Sequence, residues 1–419
     1  MVIDPAPEDV SRDPGFPCGQ SGGQERYGLA LSGGGYRATL FHLGALWRLN
    51  QLGLLRQLDR VSTVSGGSLM AGILATRWDE LDWGEDGRRA LNFEELVVKP
   101  TVDFTGRRID GVVIALGLIP FVSPADVMDG VLNRTLTGGR ALADIPEVPR
   151  FVFNAATLAT GRAWRFSRQY MVDSSIGVVC APKLPLSRAI AASAAYPPLV
   201  APLILDLTKH RLQPVEGADY FDDKHLKREV RLLDGGAYDN LGVETVEGRC
   251  AIALVSDAGG NLTLDSRTWR YHFWWPLIRK TLDLAVEGGR RQRRRGLIDR
   301  AKAARLLSAA GQKHGLVTEH VAIWRTAQDM SGSDRLPDGV VVDSDWAPYL
   351  AGLSTRMWPM RPRDWKALVN WGYLTCDKAV EAWMPAMDGI ERPKKLPYPE
   401  INFGAKPVPK KWWKPSTWL

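Results

Sequence analysis

Long apolar runs are missing from this chain of 419 residues. The nearest approach, Gly111 to Val122 (GVVIALGLIPFV), is too short to span a bilayer and is broken by Gly117 and Pro120. No membrane-crossing helix is expected. Cysteine is scarce: Cys18, Cys180, Cys250 and Cys376 lie far apart, with neither a CxxC pair nor a disulfide-rich pattern, which suits a reducing cytoplasm. Histidine is equally thin, six in all, and no His/Cys/Asp cluster has metal-ligand spacing, so no metal is expected. No Gly-Lys-Ser/Thr follows a glycine loop and no G-x-G-x-x-G occurs, which argues against a nucleotide and leaves no cofactor expected. Residues 1 to 26 have no apolar run and carry acids where a secretory signal would carry lysines and arginines. They read as a flexible tail without an export signal.

What is present fits a folded soluble protein: 45% of residues are hydrophobic and 24% charged. The length allows one large α/β core with an elaboration, or two ordinary domains. The formal charge of +7 is concentrated at Arg290-Arg291-Gln292-Arg293-Arg294-Arg295 and in the last residues, KPVPKKWWKPSTWL. That tail interleaves Lys410 and Lys411 with Trp412, Trp413 and Trp418. Indole rings favour the lipid headgroup level and lysines favour anionic lipid, so a peripheral membrane contact is one reading; an extended arm packed on the body is the other. No stacking or groove-reading module accompanies the charge, so no nucleic acid is expected. The arginine cluster reads as a solvated helix face or, alternatively, as a site for anionic lipid or a phosphorylated regulator.

Along the chain, the apolar run Tyr27 to Leu31 ends in Ser32-Gly33-Gly34-Gly35. An amphipathic stretch follows, with Leu40, Leu43, Leu46 and Trp47 at helical spacing, and Gly53 closes it. Arg60 to Val64 is a second strand. Strand, helix, strand predicts a parallel crossover whose loops open on one sheet edge, so the SGGG loop and the Ser65-Gly66-Gly67-Ser68 turn face one crevice. Arg150 to Met171 predicts a hairpin through Ala159-Thr160-Gly161, and Pro185 to Pro202 a small-residue helix stopped by Pro197-Pro198. Arg231 to Leu233 leads into Asp234-Gly235-Gly236, and Ala251 to Val255 is a further buried strand. From about Thr268 the pattern is helical, and Ile109 to Val122 is either a core helix or a lid over the crevice.

An acyl-transfer site would use these parts together. A serine attacking an ester carbonyl needs a base for its proton and backbone N–H donors for the oxyanion. Gly33, Gly34 and Gly35 leave such donors unobstructed at a helix N-terminus, and Arg37 is placed to hold a phosphate or the developing charge. The elbow serine is one of Ser62, Ser65 and Ser68.

Taken in order, SGGGYRA, STVSGGS, AASAAYPP and LLDGGAYDNLG resemble the patatin-like phospholipase family. The GGG-x-R loop is closest to the branch shared with animal cytosolic phospholipases, and YLAGLSTRM and LVNWGY echo bacterial members. The family elbow, G-x-S-x-G, falls on Thr63-Val64-Ser65-Gly66-Gly67, with threonine at the first glycine. The resemblance implies a Ser65–Asp234 dyad, oxyanion glycines at Gly34 and Gly35, Arg37 as the loop arginine, elbow glycines Gly66 and Gly67, and Gly235 and Gly236 after the base. It implies a three-layer α/β/α fold with a mainly parallel central sheet, covering 27–265, a helical C-terminal extension over 266–405 and the basic tail 406–419. The expected activity is that of a serine acyl hydrolase on lipid esters, cytoplasmic or peripheral at a membrane. A Ser-Asp-His hydrolase is the rival; it needs a histidine after the acid, and His272, His314 and His320 all lie outside any glycine turn, while His42 on the first helix suits packing. The competing class is a binding or effector module whose inactive or switched core answers to a nucleotide or partner held by the arginine cluster.

Overall fold

The apolar run at Tyr27 and the β-branched run before Ser65 become adjacent parallel strands, β1 (Glu25–Leu31) and β2 (Arg60–Val64). The computed structural model describes residues 18, 25–117, 119, 123–197, 200–260, 273–311, 317–384 and 391–408. Among them follow β3 (Arg150–Thr157), β4 (Ala163–Phe166), β5 (Tyr170–Asp173), β6 (Gly177–Cys180), β7 (Leu203–Leu205), β8 (Leu212–Gln213), β9 (Val230–Asp234), β10 (Cys250–Asp257) and β11 (His320–Arg325). The α-helices are α1 (Gly35–Gln51), α2 (Gly66–Ala75), α3 (Lys99–Thr105), α4 (Ile109–Gly117), α5 (Pro124–Leu132), α6 (Leu186–Ser193), α7 (Lys224–Arg228), α8 (Gly236–Asp239), α9 (Trp274–Ala309), α10 (Trp346–Ala351) and α11 (Pro362–Trp383).

One mixed sheet holds all these strands. The run β11-β10-β1-β2-β3 is parallel; beyond β3 the chain meanders antiparallel through β4, β5, β6 and β8, and β9 returns antiparallel to β3 with β7 beside it. Strand side chains alternate between faces. Leu29, Leu31 and Leu254 therefore join the core beneath α1 and α11, whereas Ala30, Ala253 and Val255 join a second cluster that includes Leu297 of α9. Helices thus cover both faces, giving three layers. The predicted hairpin is β3–β4, with Gly161 N–H donating to the Thr157 carbonyl. The expected small-residue helix stops at Ser193 rather than at the prolines, because the next residues turn to bond the end of β9.

The C-terminal region belongs to the same core as β1. A Cβ on Gly44 would lie 1.8 Å from the Val369 carbonyl oxygen, and one on Gly372 1.9 Å from that of Phe41, so α1 and α11 cross at backbone contact. Buried Asp377 of α11 pairs with Arg48 at 2.6 Å and Arg335 at 2.9 Å.

Cys18 and Cys180 form a disulfide across 162 residues of sequence. Cysteine spacing gave no sign of this pair: the partners meet through the fold, since Cys180 ends β6. Cys250 and Cys376 are buried free thiols. No described helix is long and apolar enough to cross a membrane.

Candidate active site

The turn from β2 into α2 is made at Ser65, with φ 52° and ψ −115°. A non-glycine residue at positive φ is strained, and such strain collects at functional sites. The turn is tight because Gly66 lets the backbones touch: a Cβ there would lie 2.2 Å from the Gly35 carbonyl oxygen. The rival serines are consumed internally. Fully buried Ser62 donates to the Gly242 carbonyl at 2.6 Å, and fully buried Ser68 bonds Thr63 and Ser193 at 2.8 and 2.7 Å. Ser65 alone of the three is not fully buried.

Strand register delivers Asp234. Val64 pairs with Asn154 on one side of β3, and Asp234 pairs with Ala155 on the other, so the ends of β2 and β9 flank the same point. The buried Asp234 carboxylate accepts from Gly236 N–H at 2.7 Å, and the neighbouring Ser65 hydroxyl favours its charged form. Burial lifts it from 3.8 to about 6, against the opposing pull of the Ser65 hydroxyl and the Gly236 N–H.

The glycine loop ends in Gly34 (φ 141°) and Gly35 (φ 53°), backbone that glycine adopts at no steric cost. Their N–H groups make no hydrogen bond among the described residues, and they stand at the N-terminus of the 17-residue α1. Gly33 departs from the expected donor set: its N–H donates to the Asn240 carbonyl at 3.0 Å.

Residues 29–246, just over half of the chain, match the description patatin-like phospholipase. The chain belongs to the patatin-like phospholipase family. Solved structures similar to it include VipD from Legionella pneumophila, 15% identical, with 85% of this chain and 67% of that one aligned at a TM-score of 0.36. Human GIVD cytosolic phospholipase A2 in complex with methyl gamma-linolenyl fluorophosphonate and terbium chloride is 12% identical, covering 85% of this chain and 58% of that one at a TM-score of 0.43. Full-length ExoU with SpcU from Pseudomonas aeruginosa is 16% identical, over 42% of this chain and 40% of that one, at a TM-score of 0.24. The chain thus spans less than two thirds of the human and Pseudomonas structures. A comparison with curated proteins found no match. Membership supports lipid acyl hydrolase activity at the level of the family.

Around this patatin-like site the structure adds residues that the sequence did not mark. Ser193 accepts from Ser65 N–H at 3.0 Å and donates to the Asn154 carbonyl at 2.6 Å, which fixes the elbow. Asn154 in turn donates to Ser62 and to the Thr63 carbonyl at 2.9 and 3.0 Å. The Ala195 carbonyl accepts from Asp234 N–H at 2.8 Å. Ser193 and Ala195 sit inside the quoted AASAAYPP stretch, but only the three-dimensional pairing reveals their partners.

Arg37 turns part of its guanidinium to the protein. It is buried, and its Nη1 donates to the Ala351 and Leu353 carbonyls, each at 2.9 Å. Burial lowers it to about 10, with Arg290 adding to the effect. The guanidinium therefore ties the glycine loop to the segment after α10, and Thr355 of that segment backs Gly35. His42 braces the same loop: Nε2 donates to the Ser32 carbonyl at 2.9 Å and Nδ1 faces the Ser256 hydroxyl at 2.7 Å. Burial depresses it to about 4, so it is neutral at physiological pH.

The arginine cluster is likewise corrected. Arg290 pairs with Asp257 and Glu287, Arg294 with Asp257 at 3.2 Å, and Arg293 with Glu244 at 3.2 Å, so half of the run faces the core while Arg291 and Arg295 are exposed. His320 begins the edge strand β11; His272 and His314 lie outside the described residues, as do Lys410, Lys411, Trp412, Trp413 and Trp418. Among the described residues no cluster of metal ligands occurs.

Proposed function

We propose that the chain is a serine acyl hydrolase of lipid esters, chiefly phospholipid acyl chains, acting at a membrane surface through Ser65 and Asp234. The observation that carries the reading is Ser65, held at positive φ, beside the desolvated Asp234 carboxylate. Asp234 takes the hydroxyl proton as Ser65 Oγ bonds to the ester carbonyl carbon. The Gly34 and Gly35 N–H groups receive the oxyanion, helped by the α1 dipole. Collapse breaks the ester C–O bond, the proton on Asp234 passes to the departing alcohol of the lysolipid, and the acyl group stays on Ser65. Water then gives a proton to Asp234 and attacks the acyl carbon; the bond to Ser65 Oγ breaks, Asp234 returns that proton to Oγ, and the fatty acid leaves. An ordinary carboxylate is a weak base for an alcohol, and the lift of Asp234 to about 6 supports its use here. The switched-effector reading keeps only part of its proposed anchor, since Arg290 and Arg294 are spent on Asp257 and Glu287 while Arg291 and Arg295 stay exposed.

The test is fatty acid release from mixed anionic and zwitterionic liposomes, read by mass spectrometry. Ser65→Ala and Asp234→Asn are each expected to lower turnover by about a thousandfold or more. Full activity in Ser65→Ala would sink the proposal.

A further inference from the structure

Helix α9 carries its polarity inside out. Its inner row, Asp283, Glu287, Arg290 and Arg294, recurs at spacings of four, three and four, and it points at the protein: Asp283 accepts from the Tyr196 hydroxyl at 3.2 Å, and Arg290 and Arg294 reach Asp257. The outer side of the first turns bears Trp274, Leu277 and Ile278, with Leu284 on its flank. With Phe273 just before the helix, these side chains are 48–69% exposed. A surface helix ordinarily turns its apolar stripe to the core. Here ion pairs hold the charged side down, and a contiguous apolar face is left open; such faces mark interaction sites.

We infer that this face is where the protein docks on an anionic phospholipid bilayer, an inference that rests on the lipid acyl hydrolase reading and names its docking surface. Three observations favour lipid over a soluble partner. Aromatic Phe273 and Trp274 lead the stripe, which suits rings that settle at headgroup level. The chain's charge of +7 complements anionic lipid. The helix is also pinned to the candidate site: Tyr196 follows Ala195, which bonds Asp234, and Arg290 donates to the Gly260 carbonyl at 2.9 Å, beside Arg37. A second exposed stripe, Val112, Leu116 and Ile119, runs along and just past α4. That helix is held at Met357 by Ile109 N–H (3.1 Å) and by the Asp110 carboxylate (2.9 Å), two residues from the Thr355 carbonyl that backs Gly35. Apolar surface therefore lies open on elements tied to both sides of the glycine loop.

The test uses the full chain, vesicles of equal parts phosphatidylglycerol and phosphatidylcholine, and the soluble ester p-nitrophenyl butyrate. The double variant Leu277→Asp, Ile278→Asp is expected to lose about tenfold or more in vesicle affinity by sedimentation while turning over the soluble ester like wild type. Independently of that variant, brominated phospholipid vesicles are expected to quench wild-type fluorescence more than that of Trp274→Phe. Sedimentation unchanged by the double substitution, equal quenching of Trp274→Phe, or a wild-type dimer that the double variant converts to monomer would overturn the assignment. Vesicle binding that depends on this face, with no turnover of either ester by wild type, supports the docking surface and rejects the hydrolase reading instead.

Discussion

The burial that raises Asp234 acts on stability as well as on reactivity. Its carboxyl holds a proton more tightly folded, at about 6, than at the ordinary 3.8, so the folded state binds more protons between those values. The stabilising contribution is complete below about 3.8 and is lost as pH rises through about 6. At pH 8 the wild type thus carries a penalty on the order of 2–3 kcal/mol, since each tenfold change in proton affinity is worth about 1.4 kcal/mol. Asp234→Asn, which removes the charge, is expected to melt higher than wild type at pH 8 and to lose that advantage at pH 4, by calorimetry. Catalysis runs the other way: kcat/KM on a soluble ester is expected to rise through about pH 6 as the base deprotonates. Ser193 supplies a second residue-scale prediction. Ser193→Ala leaves Ser65 N–H and the Asn154 carbonyl without their partner, costing about 1–3 kcal/mol. It is expected to lower kcat about tenfold with little change in KM, because the elbow rather than the lipid contact is loosened; an unchanged kcat would remove Ser193 from the positioning set.

At the scale of elements, the crossing of α1 and α11 links the C-terminal region to the chemistry. Gly35 opens α1 and the same helix carries Gly44 against Val369, so any displacement along α1 is passed to the glycine loop. Gly372→Ala forces a methyl group toward the Phe41 carbonyl; an overpacking cost of about 1–3 kcal/mol is expected in denaturant unfolding, with a fall in kcat. The strand-turn-helix units around Ser32–Gly35 and Ser65–Gly67, and the strand before Asp234, were legible in the sequence because their signals are local: an apolar run, small residues at the turn, then helical periodicity. What escaped is what depends on distant partners. Arg37 reads as an anion holder until Ala351 and Leu353, more than three hundred positions away, take the donors of its Nη1. The arginine run reads as a solvated face until Asp257 is placed beside it. Likewise Gly33 looks equivalent to its two neighbours until the Asn240 carbonyl claims its N–H.

On the scale of the whole molecule, the Cys18–Cys180 bond adds a constraint that packing alone does not supply. Closing so long a loop removes conformational freedom from the unfolded chain, and its loss typically costs about 2–5 kcal/mol. Cys18→Ser is therefore expected to lower the denaturation midpoint, and adding a thiol reductant is expected to lower wild type toward the variant while leaving the variant unmoved. Ser65 lies on the closed stretch and Asp234 on the arm that leaves it. The chain is topologically a lasso rather than a string. A trypsin cut at the exposed Arg88–Arg89 pair would open the noose without freeing either piece, so nicked protein would run as one band until reduced and as two thereafter.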